Sequence, residues 1–182
     1  MIRFRPDGSL DWLHNLAKLG RSRGYWLTLL LFALISEGGA LYYQYVLEYE
    51  PCVLCIQVRV WLVVAVLIAL LMVLACRRRV LSILGQLLFT LVMAGLVERS
   101  YLLLGTERGW VMGDCNFDLG LPSWLALEQW WPTVFKVQAS CGYTPVLLFG
   151  ITTAEALMVI SVLMLLLSAA LTVAVTLRKP GA

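Results

Sequence analysis

Long apolar runs alternate with short polar segments along this chain. Four of these runs, at residues 25–46, 56–75, 80–104 and 153–177, approach or exceed the roughly 20 residues that a helix needs to cross a bilayer. The pattern predicts an all-α membrane protein, built as a four-transmembrane-helix bundle. We expect one integral membrane domain that covers residues 1–182.

The composition supports lipid as the solvent of most of the chain. Hydrophobic residues make up 61% of the 182 residues and charged residues 14%, against about a quarter charged in ordinary soluble domains. This balance excludes a soluble globular domain. Residues 1–24 are polar and basic, and the first apolar run is longer than the core of a cleavable signal peptide. We therefore expect this run to remain as a membrane anchor.

Basic residues are distributed unequally between the two sides of the predicted bundle. Five precede the first span, three lie between the second and third spans, and two follow the fourth. They are Arg3, Arg5, Lys18, Arg21, Arg23, Arg77, Arg78, Arg79, Arg178 and Lys179. The opposite side, with loops 47–55 and 105–151, carries only Arg108 and Lys136. Because Lys and Arg mark the cytoplasmic side, we expect both termini in the cytoplasm and both loops outside, which is the periplasm if the source is a Gram-negative bacterium.

The compartment decides the chemistry of the five cysteines. Cys52 and Cys55 lie at the entry of the second span, and Cys115 and Cys141 lie in the second outer loop. An even number of cysteines in an oxidising compartment indicates disulfides. Cys76 lies at the cytoplasmic end of the second span, so we expect it to be a free thiol without a catalytic role.

The motif Cys52-Val53-Leu54-Cys55 is typical of a redox pair or of half a metal site. A zinc site would need Cys115 and Cys141, which are 26 positions apart, and the only histidine, His14, is on the predicted cytoplasmic side. We therefore predict no metal. A purely structural disulfide is the third interpretation, but a two-residue loop restricts the unfolded chain very little. A position at a helix N-terminus also favours a thiolate, so redox exchange is the favoured interpretation.

Arg59 follows the motif at a spacing that puts three side chains on one helix face. Cys52, Cys55 and Arg59 fall at positions i, i+3 and i+7, and Arg59 is about 6 Å along the helix from Cys55. Its guanidinium either extends to the membrane surface or stabilises a thiolate and the charge that develops on the oxygen of a quinone electron acceptor. A charge within a span favours the functional interpretation.

Glu37 is a second ionisable residue deep within a span. It lies between Ser36 and Gly38 in the first apolar run, where an isolated carboxylate is costly. We expect its side chain to face the interior of the bundle. It is either a protonated, hydrogen-bonded core group or a group that handles protons.

The middle of the second outer loop, residues 121–132, is rich in Trp and Leu and is bracketed by prolines. This composition predicts a short interfacial helix on the outer membrane surface. Such a helix would hold Cys115 and Cys141 near the depth of Cys52 and Cys55.

Three groups of motifs surround the cysteines. They are Pro51-Cys52-Val53-Leu54-Cys55-Ile56 followed by Arg59, Asp114-Cys115-Asn116-Phe117, and Pro122-x-Trp124-Leu125 with Trp131-Pro132-x-Val134-Phe135 before Cys141. In this combination the chain resembles the disulfide bond formation protein B (DsbB) family, the quinone-linked oxidases of the bacterial inner membrane. The resemblance covers nearly the whole chain, and the combination is far more specific than a CxxC motif alone.

This resemblance implies a membrane thiol:quinone oxidoreductase. Cys115 and Cys141 would oxidise a periplasmic thioredoxin-fold partner (DsbA-like), and Cys52 and Cys55 would reoxidise them. A quinone, expected to be ubiquinone with menaquinone as the alternative, would accept the electrons near Cys55 and Arg59. By thiol exchange, the partner's thiolate would attack Cys115 and release Cys141, which would then engage Cys52.

Two other functions stay open on the sequence. A vitamin K epoxide reductase-like oxidoreductase also combines several spans, a CxxC motif and a quinone, although its CxxC normally lies late in the chain. A non-enzymatic membrane scaffold would use its disulfides only to brace loops. Some DsbB-family members carry a histidine late in the third span, where this chain has Ser100-Tyr101-Leu102-Leu103. This difference indicates either other hydrogen bonds to the quinone or a specialised relative with a dedicated partner.

Overall fold

A computed structural model describes residues 10–76, 78–111, 118–122, 124–147 and 150–177. Within these ranges the helices are α1 (Leu10–Gly20), α2 (Arg23–Tyr45), α3 (Val53–Ala75), α4 (Arg79–Glu107), α5 (Leu127–Trp130), α6 (Pro132–Phe135) and α7 (Thr153–Leu177). Helices α2, α3, α4 and α7 are long and apolar enough to cross a membrane, with 23, 23, 29 and 25 residues. The prediction of an all-α membrane protein with four spans is confirmed.

The start of α3 is the boundary that matters most for the site. The apolar run begins at residue 56, but the helix begins at Val53 because Cys52 serves as its N-cap. The backbone of Cys52 is extended (φ −82°, ψ 170°), and its side chain accepts a hydrogen bond from the N–H of Cys55, as N-cap side chains do. Cys55 therefore lies in the first turn of α3.

The bundle is organised around α4, which packs against both α3 and α7. Helix α2 packs against α3, and the short helix α1 lies against α7. One buried cluster joins Trp26 of α2, Met72 of α3, Phe89 of α4 and Leu171 of α7. Because lipid is as apolar as these side chains, close packing rather than the hydrophobic effect holds the spans together.

Buried polar side chains attach α1 to the bundle. The carbonyl oxygen of Gly20, the last residue of α1, accepts hydrogen bonds from Trp26 Nε1 and Gln86 Nε2, both at 3.1 Å. One turn beyond Gln86, Thr90 of α4 shares a hydrogen bond of 2.9 Å with Thr172 of α7. The last carbonyls of a helix have no partner within it, so the two donors satisfy an acceptor that is costly to bury alone.

The predicted interfacial helix is not one continuous helix. Its segment forms two single-turn helices, α5 and α6, separated at Trp131, whose backbone (φ −138°, ψ 70°) is not helical. Pro132 explains the interruption, because proline lacks an N–H and disfavours helical geometry in the residue before it. Trp124, Trp130 and Trp131 are exposed. The placement of this segment on the membrane surface stays a prediction.

The second outer loop returns to the bundle through a capping box at the start of α7, a pattern that Thr152 and Glu155 predict from sequence. The N–H of Thr152 donates to Glu155 Oε2 (3.1 Å), and the N–H of Glu155 donates to Thr152 Oγ1 (3.3 Å). Arg108, just beyond α4, forms an ion pair with Glu155. Glu107 accepts a hydrogen bond of 2.6 Å from Thr144. These contacts hold the two ends of the outer loop together.

The close approach of α3 and α4 leads to a stability prediction at Gly95 of α4. A Cβ atom added there would lie 2.6 Å from Trp61 Cζ2 of α3, so the rigid indole would have to move. We expect Gly95→Ala to lower the free energy of unfolding by about 1–3 kcal/mol, measured as a lower denaturation midpoint in detergent. Gly39→Ala is the matched control, because nothing lies within 4 Å of a Cβ at Gly39. Equal midpoints for the two variants would contradict tight packing at Gly95.

Candidate active site

Cys52 and Cys55 form a pair of thiols at the start of α3. Their Sγ atoms lie 2.8 Å apart, and the backbone N–H of Cys55 donates to Cys52 Sγ at 3.3 Å. The pair lies in the first turn of the helix, where backbone N–H groups have no partners along the helix. Cys52 is buried, with 2% of its surface exposed. Exchange at Cys52 is therefore limited to thiols that the protein itself brings close.

Cys52 is a thiol that is difficult to deprotonate. The hydrogen bond to Cys55, burial and the nearby charge of Cys55 raise the pKa of the Cys52 thiol well above its ordinary value. These effects outweigh the backbone N–H of Cys55 and a hydrogen bond with Cys141, which lower the pKa. Burial and the hydrogen bond to Cys55 therefore disfavour a thiolate at Cys52, although the sequence predicts one at this helix N-terminus.

The outer loop brings Cys141 to the pair. The backbone N–H groups of Gln138 and Ala139 both donate to the carbonyl oxygen of Pro51, at 3.0 and 3.3 Å. A parallel bridge also joins Cys52 to Ala139. These contacts hold the Cys141 thiol within hydrogen-bonding reach of Cys52, so Cys52, Cys55 and Cys141 lie together.

Of the other two cysteines, one lies outside the described residues and one lies far from this group. Cys115 lies outside the described residues, so its place beside Cys141 stays a prediction. Cys76 is buried and caps the opposite end of α3, about 36 Å along the helix from Cys52. In the parts of the chain that the structure describes, no three His, Cys, Asp or Glu side chains are grouped to hold a metal ion.

Arg59 lies one turn further along α3 than Cys55, and it is buried, with 4% of its side chain exposed. Its Nη1 donates to Gln44 Oε1 of α2 at 2.8 Å and to the carbonyl oxygen of Val134 in α6 at 2.5 Å. Its Nε is 3.7 Å from Glu37 Oε2, and its charge interacts with Cys55. Protein acceptors, rather than water at the membrane surface, thus hold the guanidinium.

Gln44 is the site residue that the sequence interpretation missed. Besides Arg59, its side chain bonds the loop, with Nε2 donating to the carbonyl oxygen of Thr133 (3.3 Å) and to Gln138 Oε1 (3.4 Å). Gln44 follows Glu37 by seven residues, so the two share one face of α2. That spacing of two polar residues in an apolar helix was the available signal.

An open groove lies directly outside Gln44. Its volume is about 680 Å³, and it is bounded by the end of α2, the first outer loop and the segment around α6. The lining residues are Gln44, Tyr45, Glu48, Glu50, Pro132, Thr133, Lys136 and Gln138. The groove connects Gln44, a hydrogen-bond partner of Arg59, with the outside of the bundle.

Comparison with known proteins shows the family of this chain. The family model described as disulfide bond formation protein DsbB matches residues 22–171. The chain belongs to the DsbB family. The match includes all the site residues named above, from Glu37 to Cys141, and the family predicted from the sequence motifs is confirmed.

Individual relatives agree with this assignment. Disulfide bond formation protein B of Shewanella loihica is 33% identical over 141 residues, which cover 77% of this chain and 82% of the relative. The protein of that name from Haemophilus influenzae is 35% identical over 150 residues, or 80% of this chain and 82% of the relative. That of Photorhabdus laumondii is 34% identical over 122 residues, or 67% and 72% of the two chains.

The contact between Cys52 and Cys141 leads to a cross-linking prediction. When Cys55 and Cys115 are replaced by Ser, we expect Cys52 and Cys141 to form a disulfide readily under mild oxidation. The reason is that the backbone already holds the two thiols together. Mass spectrometry after alkylation of the unfolded protein measures the product, and Cys76 should be found as an alkylated free thiol.

The backbone contact itself can be tested with a further substitution in that protein. Gln138→Pro removes the N–H that donates to Pro51, and loss of one such hydrogen bond, about 1 kcal/mol, should slow cross-linking by about fivefold. Gln138→Ala keeps the N–H and is the control. Equal cross-linking rates in the two variants would show that the bridge does not position Cys141.

Proposed function

We propose that this DsbB-family protein is a membrane thiol:quinone oxidoreductase. It reoxidises a periplasmic thioredoxin-fold dithiol oxidase (DsbA-like) and passes the electrons to a membrane quinone, which sustains disulfide bond formation. The observation that carries the proposal is the position of the Cys52 and Cys55 pair, which has Cys141 on one side and the buried Arg59 on the other. The pair thus lies between a thiol that can deliver electrons to it and a positive charge that can stabilise the reduced electron acceptor.

The exchange begins at the outer loop, in the order that the family resemblance implies. A thiolate of the partner attacks Cys115 of a Cys115–Cys141 disulfide, which forms a mixed disulfide and releases Cys141 as a thiolate. Cys141 attacks Cys52 of the Cys52–Cys55 disulfide and releases Cys55. The leaving thiolate of Cys55 is the one next to Arg59, whose charge stabilises it.

The exchange closes without further oxidant. The second thiol of the partner attacks its mixed disulfide with Cys115, which oxidises the partner and frees Cys115. Cys115 then attacks Cys141 and displaces Cys52. The outer disulfide is restored, and two electrons remain as the thiols of Cys52 and Cys55.

The residues near Cys55 fit a quinone headgroup. Arg59 Nε and Glu37 Oε1 are both buried without a hydrogen-bond partner, which is costly unless another group completes them. A quinone supplies a two-electron acceptor whose oxygens gain negative charge on reduction. Arg59 would hold that charge, and Gln44 orients Arg59 by accepting from its Nη1. The proposed quinone is ubiquinone, with menaquinone as the alternative.

Purified protein in lipid nanodiscs tests the function. With a reduced thioredoxin-fold dithiol oxidase and a short-chain ubiquinone, we expect the parent protein to oxidise the dithiol and reduce the quinone in equal amounts, followed by absorbance. Ser at Cys52, Cys55, Cys115 or Cys141 should lower turnover at least 100-fold. Cys76→Ser is the matched control and should be nearly unchanged. A scaffold would reduce no quinone, and normal turnover by Cys141→Ser would contradict the two-pair relay.

Arg59→Ala should act selectively on the quinone step. A preorganised donor to a charged transition state typically contributes on the order of 2–4 kcal/mol, so we expect kcat/KM for quinone to fall by roughly 30-fold to 900-fold. Attack of the partner on Cys115 should change far less. Arg99→Ala is the control, because Arg99 of α4 also bonds a glutamine of α3, Gln57, at 3.1 Å but lies outside the site. Parent-like quinone kinetics in Arg59→Ala would rule out this placement of the quinone.

A further inference from the structure

The carboxyl group of Glu37 is buried inside the bundle and only partly satisfied. Glu37 lies eight residues before the outer end of α2, which corresponds to about 12 Å along the helix. Its side chain is 13% exposed. Oε2 is 3.7 Å from Arg59 Nε, and Oε1 is buried without a hydrogen-bond partner. A buried carboxylate in such surroundings is costly unless it is paired and hydrogen-bonded.

Arg59 does not hydrogen-bond the carboxyl group of Glu37, as a cation in a structural ion pair would. The distance of 3.7 Å is beyond a hydrogen bond, and Arg59 Nη1 is directed to Gln44 and Val134 instead. The ion pair of Glu155 with Arg108 is different, because Glu155 is hydrogen-bonded by Arg108 and also accepts from the N–H of Thr152. Glu37 therefore retains the capacity to bind a proton, while a cation is close enough to compensate its charge.

Glu37 is also connected to the outer water. Arg59 joins it to Gln44, which is a lining residue of the groove of about 680 Å³ outside the bundle. Gln44 in turn bonds Gln138 and the carbonyl oxygen of Thr133, two further residues of the groove wall. A line of polar side chains thus runs from the groove towards the carboxyl group, and its last step is the 3.7 Å between Arg59 Nε and Glu37 Oε2.

From this geometry we infer that Glu37 is the proton-carrying residue of the site. Its carboxyl group holds a proton at Oε1, releases it during reduction of the electron acceptor, and regains it from water that enters from the groove beside Gln44. The inference rests on the proposed function and deepens it. It names Glu37 as the proton donor, whereas Arg59 stabilises negative charge.

The step balances in electrons and protons. Oxidation of the Cys52 and Cys55 thiols to a disulfide releases two electrons and two protons, and reduction of a quinone to a quinol consumes two of each. Glu37 supplies one proton and becomes a carboxylate, whose charge is compensated by Arg59 until the proton is replaced. The second proton comes from water, and the thiol protons leave to water.

Among the described residues, few charged groups other than Arg59 face Glu37. Helix α2 packs mainly on α3, and the charged group that acts on Glu37 from that helix is Arg59. Behind Arg59 lie two more titratable groups, Cys55 of α3 and Tyr45 at the end of α2. These are the groups whose charge can act on Glu37 directly or through Arg59, and replacement of Glu37 isolates its own part of any pH dependence.

Infrared spectroscopy tests the proton directly, on protein without quinone. We expect the C=O stretching band of a protonated carboxyl group near neutral pH, which disappears on titration to higher pH and is missing in Glu37→Gln. Glu98→Gln is the matched control, because Glu98 of α4 is an exposed carboxylate paired with Arg99 at 3.2 Å, and it should leave the band intact. A band that is unchanged in Glu37→Gln, or absent at every pH at which the protein is folded, would overturn the inference. This result does not depend on quinone activity, so it separates failure of the inference from failure of the proposed function.

Single-turnover quinone reduction tests the role. In protein whose Cys52 and Cys55 are already reduced, we expect Glu37→Gln to slow quinone reduction roughly 100-fold, as loss of a proton donor does. The quinone concentration that gives half of the maximal rate should change little. Glu37→Asp keeps an acid and should retain most of the rate, which also controls for folding. The parent rate should fall at high pH as Glu37 loses its proton, whereas the Glu37→Gln rate should be low across that range. If the Asp and Gln variants lose rate equally, need more quinone for half of the maximal rate and keep the parent pH profile, Glu37 only positions Arg59 and the inference is overturned.

Discussion

The site is built around one buried positive charge. A guanidinium within an apolar bundle needs acceptors that the surrounding lipid cannot provide, and Arg59 of α3 obtains them from α2 and from the outer loop. Gln44 and Val134, which supply these acceptors, are 90 positions apart in sequence. Compensating one charge therefore fixes where the outer loop sits relative to the first two spans.

The position of the loop decides which sulfur atoms meet. The segment that supplies the carbonyl oxygen of Val134 continues to Gln138 and Ala139, whose N–H groups both bond Pro51. Pro51 has no N–H of its own, but its carbonyl oxygen precedes the thiol pair directly. The same loop thus satisfies Arg59 on one side of the pair and delivers Cys141 to Cys52 on the other. The loop segment from Val134 to Cys141 therefore serves as one scaffold, which both compensates the charge of Arg59 and positions the thiol for exchange.

The rest of the bundle supports this scaffold through close packing of its helices. Helix α4 approaches α3 closely where Gly95 faces Trp61, and such close packing is the main source of stability among apolar helices in lipid. Gln86 and Gly20 close the opposite end by satisfying the last carbonyl of α1. The ionisable partners are thereby concentrated around Arg59, where their charges affect the chemistry of the cysteines.

Local patterns in the sequence were enough to determine the four spans, the shared face of Cys52, Cys55 and Arg59, and the family. Hydropathy and helical period depend on residues close together in the chain, and so does the capping box at Thr152. The extent of the outer helix was harder to predict, because the effect of one proline on the preceding residue outweighed the helical composition of residues 121–132.

Only the tertiary structure decided which distant groups meet. The contact of Cys141 with Cys52, the acceptors of Arg59 and the half-satisfied carboxyl of Glu37 depend on how α2, α3 and the outer loop pack. Helical period placed Glu37 and Gln44 on one face of α2, but it contained no information on which helix that face would meet. A buried charge selects its partners by distance and geometry across elements, and those are properties of the packed bundle rather than of any segment of the chain.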